Sequence, residues 1–434
     1  MTPVLLQDVL LDGTRTDVRV EAGRVSEIGR LDREAGEETV TGRGGMLAPG
    51  FVDEHLHLHA LAAAGDSVDC GPPHDRAGLA AALAAAPGPG GWVRGTGYAE
   101  SVAGVLDAAG LDRIHAARPV RIQHRSGALW IVNSRGAAAL GLATADHAGI
   151  ERDDDGVPTG RLWRADAWLR GRLPTTAPDL RASGRALARL GVTSVTDATP
   201  DLDPARYGDF LVLPQRVTLL GVPLGRRAPA PLRTGPYKIV LADSGLPTFP
   251  DLVDTIRAAR SAGRAIAVHC VTREALLLLL AALAEAGPPY PGDRIEHAAV
   301  VPAETVPELA RRGLRVVTQP GFIADRGDDY RREVPPAEHV DLYRAASLVG
   351  AGVDVRLSSD APYGPIDPAA VLAAATERRT KAGAVLGPAE RLTPRAARSA
   401  YEGPPLRSGC RADLALYRPD DPIPTVWIAG QPVT

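Results

Sequence analysis

Short apolar runs alternate with longer Ala-, Leu- and Arg-rich stretches through the middle of the chain, and this rhythm constrains the fold more than any other feature. Strands that alternate with helices are typical of an α/β protein built on a parallel sheet. There are about eight such runs, the number that closes a (β/α)8 TIM-like barrel. The predicted barrel strands are Met46 to Val52, Val192 to Thr196, Arg216 to Val222, Tyr237 to Leu241, Ala265 to Val268, Arg294 to Glu296, Arg315 to Thr318 and Val353 to Leu357.

The two ends of the chain share a different pattern, in which short β-like runs are separated by turn residues. We therefore predict a small β-sandwich domain formed from both termini, residues 1–45 and 390–434, that brackets a barrel at residues 46–389. Residues of about 60–187 do not follow the barrel rhythm. We interpret them as a long insertion after the first strand, and such insertions usually build or cover the active site of a barrel.

Several classes of protein are excluded by composition. The longest apolar stretch, Ala275 to Ala284, is too short for a membrane span, which needs about 18 residues, and we read it as part of a buried helix. The start of the chain lacks a basic secretory signal, which favours the cytoplasm. Three separated cysteines form neither a disulfide framework nor a metal knuckle, and no basic-aromatic patch indicates nucleic acid. We expect a small-molecule substrate, with assembly into a homo-oligomer left open.

Lysine is nearly absent. Of 49 Lys and Arg residues, only Lys238 and Lys381 are lysines. A coding bias toward arginine accounts for this composition as a whole. Only lysine, however, provides an amine that can be deprotonated and made to react, so a lysine that persists is a candidate for a position that arginine cannot fill. Lys381, just after the polar run Glu377-Arg378-Arg379-Thr380, is explained equally well as an exposed remnant.

The strongest local motif is the pair His55 and His57, at the end of the first predicted barrel strand. Residues i and i+2 of a strand point to the same side, so both imidazoles can bind one metal ion. A single His-x-His pair also occurs by chance, and its meaning depends on where the other candidates fall.

Three further candidates follow the same rule. His269, His297 and Asp360 each end or follow a predicted strand, where barrel enzymes place their chemistry. Lys238 lies inside its strand, near the start, which is compatible with a side chain that reaches in from the barrel wall. A structural role is a fair reading of any one of these histidines, but the whole set at strand ends favours a metal site.

With these motifs, the chain resembles the amidohydrolase superfamily, in the branch of metal-dependent amidohydrolases that includes the N-substituted formamide deacylases. The matching pieces span nearly the whole length. They are Pro49 to Asp53 through His57, Val132-Asn133-Ser134, Gly191-Val192-Thr193 with Thr196-Asp197-Ala198, Lys238, His269, Arg294-Ile295-Glu296-His297, Ser359-Asp360-Ala361-Pro362 with Asp367-Pro368, and Gly409 to Leu414.

The resemblance implies a metal centre of one or two divalent ions, with Zn²⁺ the expected metal. It implies that His55 and His57 bind one ion with Asp360, and that His269 and His297 bind the second. Lys238, carboxylated by carbon dioxide, would bridge the two ions. A carbamate is an anionic oxygen ligand that arginine cannot form, because its guanidinium stays protonated.

We therefore predict a metal-dependent hydrolase that cleaves an amide-type, non-peptide C–N bond with a metal-activated water. Asp360 is the predicted acid/base, which takes the proton from water and passes it to the departing amine. The candidates for contact with substrate lie in the insertion; they are His124, Ser126, Trp130 and Asn133.

Two alternatives remain open at this stage. One is a mononuclear deaminase or cyclic amidase of the same fold, in which Lys238 is not carboxylated and His297 acts on the substrate. The other is a barrel homologue that has lost its chemistry and only binds. Metal content separates the three: two ions, one ion or none per chain.

Overall fold

Strands and helices alternate along most of the chain in the computed structural model, which describes residues 2–65, 67–72, 74–86, 91–173, 179–242 and 245–433. The strands are β1 (Val4–Leu11), β2 (Thr14–Glu21), β3 (Arg24–Gly29), β4 (Glu38–Pro49), β5 (Phe51–Leu56), β6 (Val68–Asp69), β7 (Val93–Tyr98), β8 (Val120–His124), β9 (Leu129–Val132), β10 (Ile150–Arg152), β11 (Pro158–Trp163), β12 (Val192–Asp197), β13 (Arg216–Leu219), β14 (Arg233–Thr234), β15 (Tyr237–Val240), β16 (Ile266–Cys270), β17 (Arg294–His297), β18 (Arg315–Thr318), β19 (Asp354–Leu357), β20 (Leu414–Tyr417), β21 (Thr425–Ile428) and β22 (Gln431–Val433). The α-helices are α1 (Leu58–Gly65), α2 (Arg76–Ala84), α3 (Glu100–Ala103), α4 (Ala108–Asp112), α5 (Ser134–Leu140), α6 (Asp166–Arg170), α7 (Leu180–Arg189), α8 (Phe249–Ser261), α9 (Arg273–Ala286), α10 (Val306–Arg311), α11 (Gly321–Glu333), α12 (Ala346–Gly350), α13 (Pro368–Glu377) and α14 (Pro394–Tyr401). Short 3-10 helices cover Pro204–Val212, Ala303–Thr305, Pro336–Asp341 and Pro388–Glu390.

These elements fall into two units. The larger unit combines Met1–Leu58 with Leu180–Thr434, and the smaller unit is His59–Asp179. The smaller unit lies within the segment that the sequence predicts as an insertion, about residues 60–187. It contains a six-stranded sheet in the order β10-β11-β9-β8-β7-β6.

Two parallel sheets form the centre of the larger unit. One has four strands in the order β14-β13-β12-β5, and the other has five in the order β15-β16-β17-β18-β19. Helices α8 and α9 pack on the five-stranded sheet through buried side chains such as Ile256 and Leu279. This is the alternating α/β pattern that the sequence predicts, since seven of the eight predicted strands coincide with β12, β13 and β15 to β19.

The remaining predicted strand, Met46 to Val52, is wrong in its bounds. The chain passes at Gly50 from β4, in the terminal sheet, to β5, in the four-stranded parallel sheet. A Cβ atom at Gly50 would lie 2.2 Å from the side chain of Thr193, so only glycine fits at this crossing. The strand that bears the histidine pair is therefore β5, which begins at Phe51.

The ends of the two parallel sheets approach each other at β5. The backbone N–H of Asp360 donates to the carbonyl of His55 at 2.8 Å, and the N–H of His57 donates to the carbonyl of Ala361 at 2.9 Å. Within the described residues, the nine strands nevertheless form two hydrogen-bonded sheets and no single closed cylinder.

The two termini share one sheet. Its seven strands run β22-β21-β20-β4-β1-β2-β3, with the C-terminal β20 antiparallel to the N-terminal β4. Apolar side chains from both ends, among them Val18 and Leu414, are buried together. The pairing of the termini is as predicted, but a two-sheet sandwich is not confirmed.

The apolar stretch Ala275 to Ala284 lies inside α9, as predicted. The side chain of Thr272 caps this helix by accepting from the N–H of Ala275 at 3.2 Å. Among the helices of the described residues, none has the length and apolar character that crossing a membrane requires.

Candidate metal centre

The end of β5 places two imidazoles side by side. His55 is fully buried and His57 is mostly buried, and their ring centroids lie 5.5 Å apart. The carboxylate of Asp197 fixes the turn that follows, because it accepts from the backbone N–H of Leu58 at 2.8 Å. Both imidazoles lie on one side, beside Asp360, with His55 on β5 and His57 directly after its last residue.

Asp360 lies between three of the histidines. Its Oδ1 is 3.3 Å from Nε2 of His57 and 3.6 Å from Nε2 of His55, and its Oδ2 is 3.8 Å from Nδ1 of His297. One ligand atom each from His55, His297 and Asp360 lie within 4.8 Å of one another, a spacing that can hold a metal ion. Residues on β5, at the end of β17 and after β19 thus converge, although they are distant in sequence.

His269 and Lys238 complete the predicted set. The ring centroid of His269 lies 4.4 Å from that of His297, which in turn lies 4.7 Å from that of His55. Lys238 is buried on β15, and burial lowers the pKa of its amine, while the charges of Glu296 and Asp360 oppose that shift. The four histidines form a row of neighbouring rings, and Lys238 lies within the electrostatic reach of the carboxylates beside them.

The backbone at the centre is strained. His297, Ala298 and Asp360 adopt left-handed conformations with φ of 70°, 46° and 54°. Such values are rare for residues with a Cβ, and they concentrate at functional sites that the surrounding structure holds in place. Here the N–H of Asp360 is held by the carbonyl of His55.

The chemistry of the donor set fits a divalent metal. Burial lowers the pKa of His55 and of His297 well below the usual range, so both imidazoles are neutral, as metal ligands must be. Two buried atoms, Nε2 of His55 and Oδ1 of Asp360, have no hydrogen-bond partner in the part of the chain that the structure describes. Unpaired buried polar atoms are costly, and a metal ion would satisfy both. Nitrogen and carboxylate ligands of this kind suit zinc.

Three buried residues that support the histidines were not singled out from the sequence. Glu296 accepts a hydrogen bond from Nδ1 of His55, and Gln319 accepts one from Nδ1 of His297 at 2.9 Å. Asp53 accepts from the Tyr401 hydroxyl at 3.1 Å, and burial raises the pKa of its carboxyl to about 6. The available signal was their position, because Asp53 and Glu296 lie one or two residues before a candidate histidine on β5 and β17, and Gln319 directly follows β18.

The predicted substrate-contacting residues lie in the smaller unit, on and after β8 and β9. His124 contacts the hydroxyl of Ser126 at 2.8 Å through Nδ1 and the carboxylate of Glu100 at 3.1 Å through Nε2. Ser126 is exposed. These two side chains are polar and accessible, which is compatible with the predicted role, and that role stays a prediction.

Trp130 and Asn133 have a different environment. Trp130 is 5% exposed, and its indole N–H donates to Asp166 at 2.9 Å. Asn133 is fully buried and caps α5, and its amide makes four hydrogen bonds to backbone groups at 2.8–3.0 Å. This uses the full capacity of the amide. The geometry favours a structural role for both residues over contact with a substrate.

Neutral imidazoles and a carboxylate, gathered at the ends of parallel strands with buried ligand atoms that lack hydrogen bonds, form a candidate metal site at the place where barrel enzymes carry their chemistry. A model of the amidohydrolase family matches residues 38–433. The chain belongs to this family.

Two relatives extend the comparison. The chain is 26% identical over 452 residues to an N-substituted formamide deformylase of Arthrobacter pascens, covering 89% of this chain and 81% of the relative. It is 26% identical over 438 residues to the putative amidohydrolase YtcJ of Bacillus subtilis (strain 168), and this match covers 86% of this chain and 82% of the relative. The protein is thus a metal-dependent amidohydrolase that acts on carbon–nitrogen bonds other than peptide bonds.

Among solved structures, the chain is similar to an uncharacterized metal-dependent hydrolase of Pyrococcus furiosus. The TM-score is 0.73 at 21% identity, and the match covers 96% of this chain and 99% of that chain. A likeness at this identity concerns the fold, which is TIM-barrel-like.

Proposed function

We propose that the protein hydrolyses the amide bond of a small N-formyl or N-acyl compound at a zinc centre held by the clustered side chains. His55, His57 and Asp360 would hold one ion, His269 and His297 a second, and carboxylated Lys238 would bridge them. The observation that carries the proposal is that two buried ligand atoms, Nε2 of His55 and Oδ1 of Asp360, lie 3.6 Å apart and have no hydrogen-bond partner among the described residues. The name of the formamide deformylase relative supports the substrate class.

The residues of the chain divide the chemistry between them. A bound divalent ion would lower the pKa of a water molecule toward neutrality and polarise the substrate carbonyl. Asp360 would accept the proton of the attacking water on a carboxylate oxygen and donate it to the nitrogen of the departing amine. The hydrogen bond from its backbone N–H to the carbonyl of His55 holds Asp360 beside the histidines.

Lys238 is suited to carbamate formation because of its burial. Burial lowers the pKa of its amine, which increases the neutral fraction that can attack carbon dioxide. A C–N bond forms, the nitrogen loses one proton, and the product is an anionic carboxylate at the end of the side chain. A closed (β/α)8 barrel, which brings β15 and β5 to one mouth, belongs to the same proposal.

One observation supports a single ion. The three residues whose ligand atoms come within 4.8 Å are His55, His297 and Asp360, which can serve one ion without Lys238. This set places His297 on the metal, whereas a mononuclear deaminase or cyclic amidase would use His297 on the substrate, so a single ion with His297 free for substrate would favour that alternative. A chain that binds no metal after reconstitution would instead indicate a non-catalytic homologue.

The test compares the two lysines of the chain. Lys238→Ala is expected to lose activity and one or both ions, and a short carboxylic acid should partly restore both. Lys381→Ala is the matched control, because Lys381 is exposed and pairs with Asp325. Metal content would be measured by elemental analysis, and activity by a screen of N-formyl, N-acyl and cyclic amides with added zinc. Full metal and activity in Lys238→Ala would contradict the bridging role.

The cytoplasmic location and an assembly into homo-oligomers stay predictions from the sequence.

A further inference from the structure

A chain of buried charges begins directly behind His55. Glu296 is fully buried, and one of its oxygens accepts a hydrogen bond from Nδ1 of His55. Its other oxygen accepts from Nε of Arg294 at 2.5 Å. The same carboxylate therefore joins a candidate metal ligand to a buried guanidinium.

Arg294 is itself held in one orientation. It is 5% exposed, and its two terminal nitrogens donate to Glu54, to the carboxylate at 3.1 Å and to the backbone carbonyl at 2.9 Å. Glu54 also pairs with Arg315 at 3.2 Å and Arg356 at 3.3 Å. A guanidinium has donors only, so the atom of residue 296 that faces Arg294 must be an acceptor.

We propose that Glu296 and Arg294 are positioning residues that set the tautomer of His55. Glu296 holds the proton on Nδ1, which leaves the lone pair of Nε2 directed toward Asp360, 3.6 Å away. Arg294 fixes which way Glu296 faces. The inference rests on the proposed function, because it gives the free Nε2 a metal ion to bind.

If Arg294 fixes the orientation of residue 296, the isosteric substitution Glu296→Gln has a specific expected result. In Glu296→Gln, the amide oxygen would turn to Arg294, because Arg294 can only donate. The amide N–H would then face Nδ1 of His55 and turn that atom into an acceptor. The proton would move to Nε2, which could no longer bind a metal. Loss of a supporting carboxylate of this kind typically costs 10–100-fold in metal affinity.

A merely structural ion pair would behave differently. Glu390 provides the control, since it is also buried and accepts from Arg344 at 3.1 Å and from the N–H of Ser347 at 2.9 Å. Glu390→Gln removes a comparable buried charge in the same unit without contact with the histidines. It is expected to lower thermal stability and to leave metal affinity unchanged.

The experiment measures Co²⁺ affinity by competition with a chelator, together with the visible spectrum of bound Co²⁺. We expect Glu296→Gln to bind about 10–100-fold more weakly than the unmodified protein, with an altered spectrum. In the double variant Arg294→Met with Glu296→Gln, the amide can rotate its oxygen to His55, so part of the affinity should return. Glu54 keeps Arg315 and Arg356 in that variant.

Three outcomes would overturn the inference. If Glu296→Gln binds Co²⁺ with the affinity and spectrum of the unmodified protein, Glu296 has no positioning role. If Glu390→Gln weakens Co²⁺ binding by the same factor, the effect of Glu296→Gln reflects a general loss of stability. No recovery in the double variant would overturn the part given to Arg294.

A measurement on the unmodified, metal-free protein tests the same inference even if the Glu296 and Arg294 variants do not fold. Nitrogen-15 NMR of labelled histidine side chains should show His55, assigned by its loss in a His55→Gln sample, with its proton on Nδ1. A proton on Nε2 would overturn the inference. Absence of Co²⁺ binding by the unmodified protein would contradict the proposed function instead, and the NMR result would still decide the tautomer.

Discussion

His55 and Asp360 at the candidate metal centre differ from Asn133 in the smaller unit in how their buried polar atoms are satisfied. At the metal centre, Nε2 of His55 and Oδ1 of Asp360 have no hydrogen-bond partner within the described part of the chain. In the smaller unit, Asn133 is just as buried, but its amide makes four backbone hydrogen bonds. Burial alone therefore does not identify a functional residue. Buried atoms without hydrogen bonds also occur elsewhere, as at Nε2 of His115 in the smaller unit. What distinguishes the metal centre is that two such atoms, Nε2 of His55 and Oδ1 of Asp360, lie 3.6 Å apart on side chains that can bind one ion.

The largest expected effect is at Asp360. Asp360→Asn keeps the size of the side chain and an oxygen that can bind a metal, but the amide cannot act as a general base. We therefore expect kcat to fall by about 10²–10⁴-fold. The measurement is steady-state kinetics on the amide found by the screen, with metal content as a control. Metal-replete Asp360→Asn with a kcat within tenfold of the unmodified enzyme would contradict the acid/base role.

At Asn133 we expect a loss of stability in place of a loss of catalysis. Asn133→Ala removes a helix cap and leaves backbone groups of β8 and the preceding loop unpaired, which costs about 1–3 kcal/mol. Chemical denaturation followed by tryptophan fluorescence would measure this, because four of the five tryptophans, Trp92, Trp130, Trp163 and Trp168, lie in the smaller unit. An increase in KM at unchanged stability would restore the substrate-binding prediction.

Trp130 should show a smaller effect of the same kind. Trp130→Phe keeps an aromatic ring beside the guanidinium groups of Arg94 and Arg121, which lie 5.5 and 5.6 Å from the indole, but loses the hydrogen bond to Asp166. The free energy of unfolding should fall by about 0.5–1.5 kcal/mol, with kcat/KM unchanged. If the free energy of unfolding is unchanged while kcat/KM falls, the Trp130 side chain contacts the substrate as the sequence predicts.

Ser126 should have the smallest effect on stability. Ser126→Ala changes an exposed residue, so the free energy of unfolding should stay within about 0.5 kcal/mol of the original. If its hydroxyl contacts substrate, as predicted, KM should rise about 2- to 10-fold, the value of one hydrogen bond. An unchanged KM for the best substrate of the screen would remove Ser126 from the site.

Much of the larger unit could be predicted from the sequence because its signals are local. The strands of the two parallel sheets are short and alternate with helical stretches, and His297 ends β17 while Asp360 follows β19 after two serines. The error at Met46 to Val52 arose because an apolar run continues through Gly50, while the change of sheet depends on Thr193, which is distant in sequence. Local patterns do not contain such contacts.

The supporting residues and the smaller unit show the same limit. Glu296 acts through His55, 241 residues earlier in the chain, and no local pattern relates the two. Asn133 matched a family motif, and only the backbone around it reveals that its amide is fully used. Residue type and spacing can place a side chain at a strand end, but its partners depend on the folded chain.

The direct passage from β4 through Gly50 to β5 also bears on the order in which the protein is made. β4 pairs with β20, near the other end of the chain, and the N–H of Gly50 donates to the carbonyl of Asp413 at 3.0 Å. The ribosome synthesises β20 to β22 after every candidate metal ligand, and chains fold progressively from the N-terminus as they emerge. The segment that leads into β5, from β4 to Gly50, therefore gains its last neighbour only when translation of the terminal sheet is finished. Full metal affinity should accordingly appear late in biosynthesis, after the ligands themselves have been made.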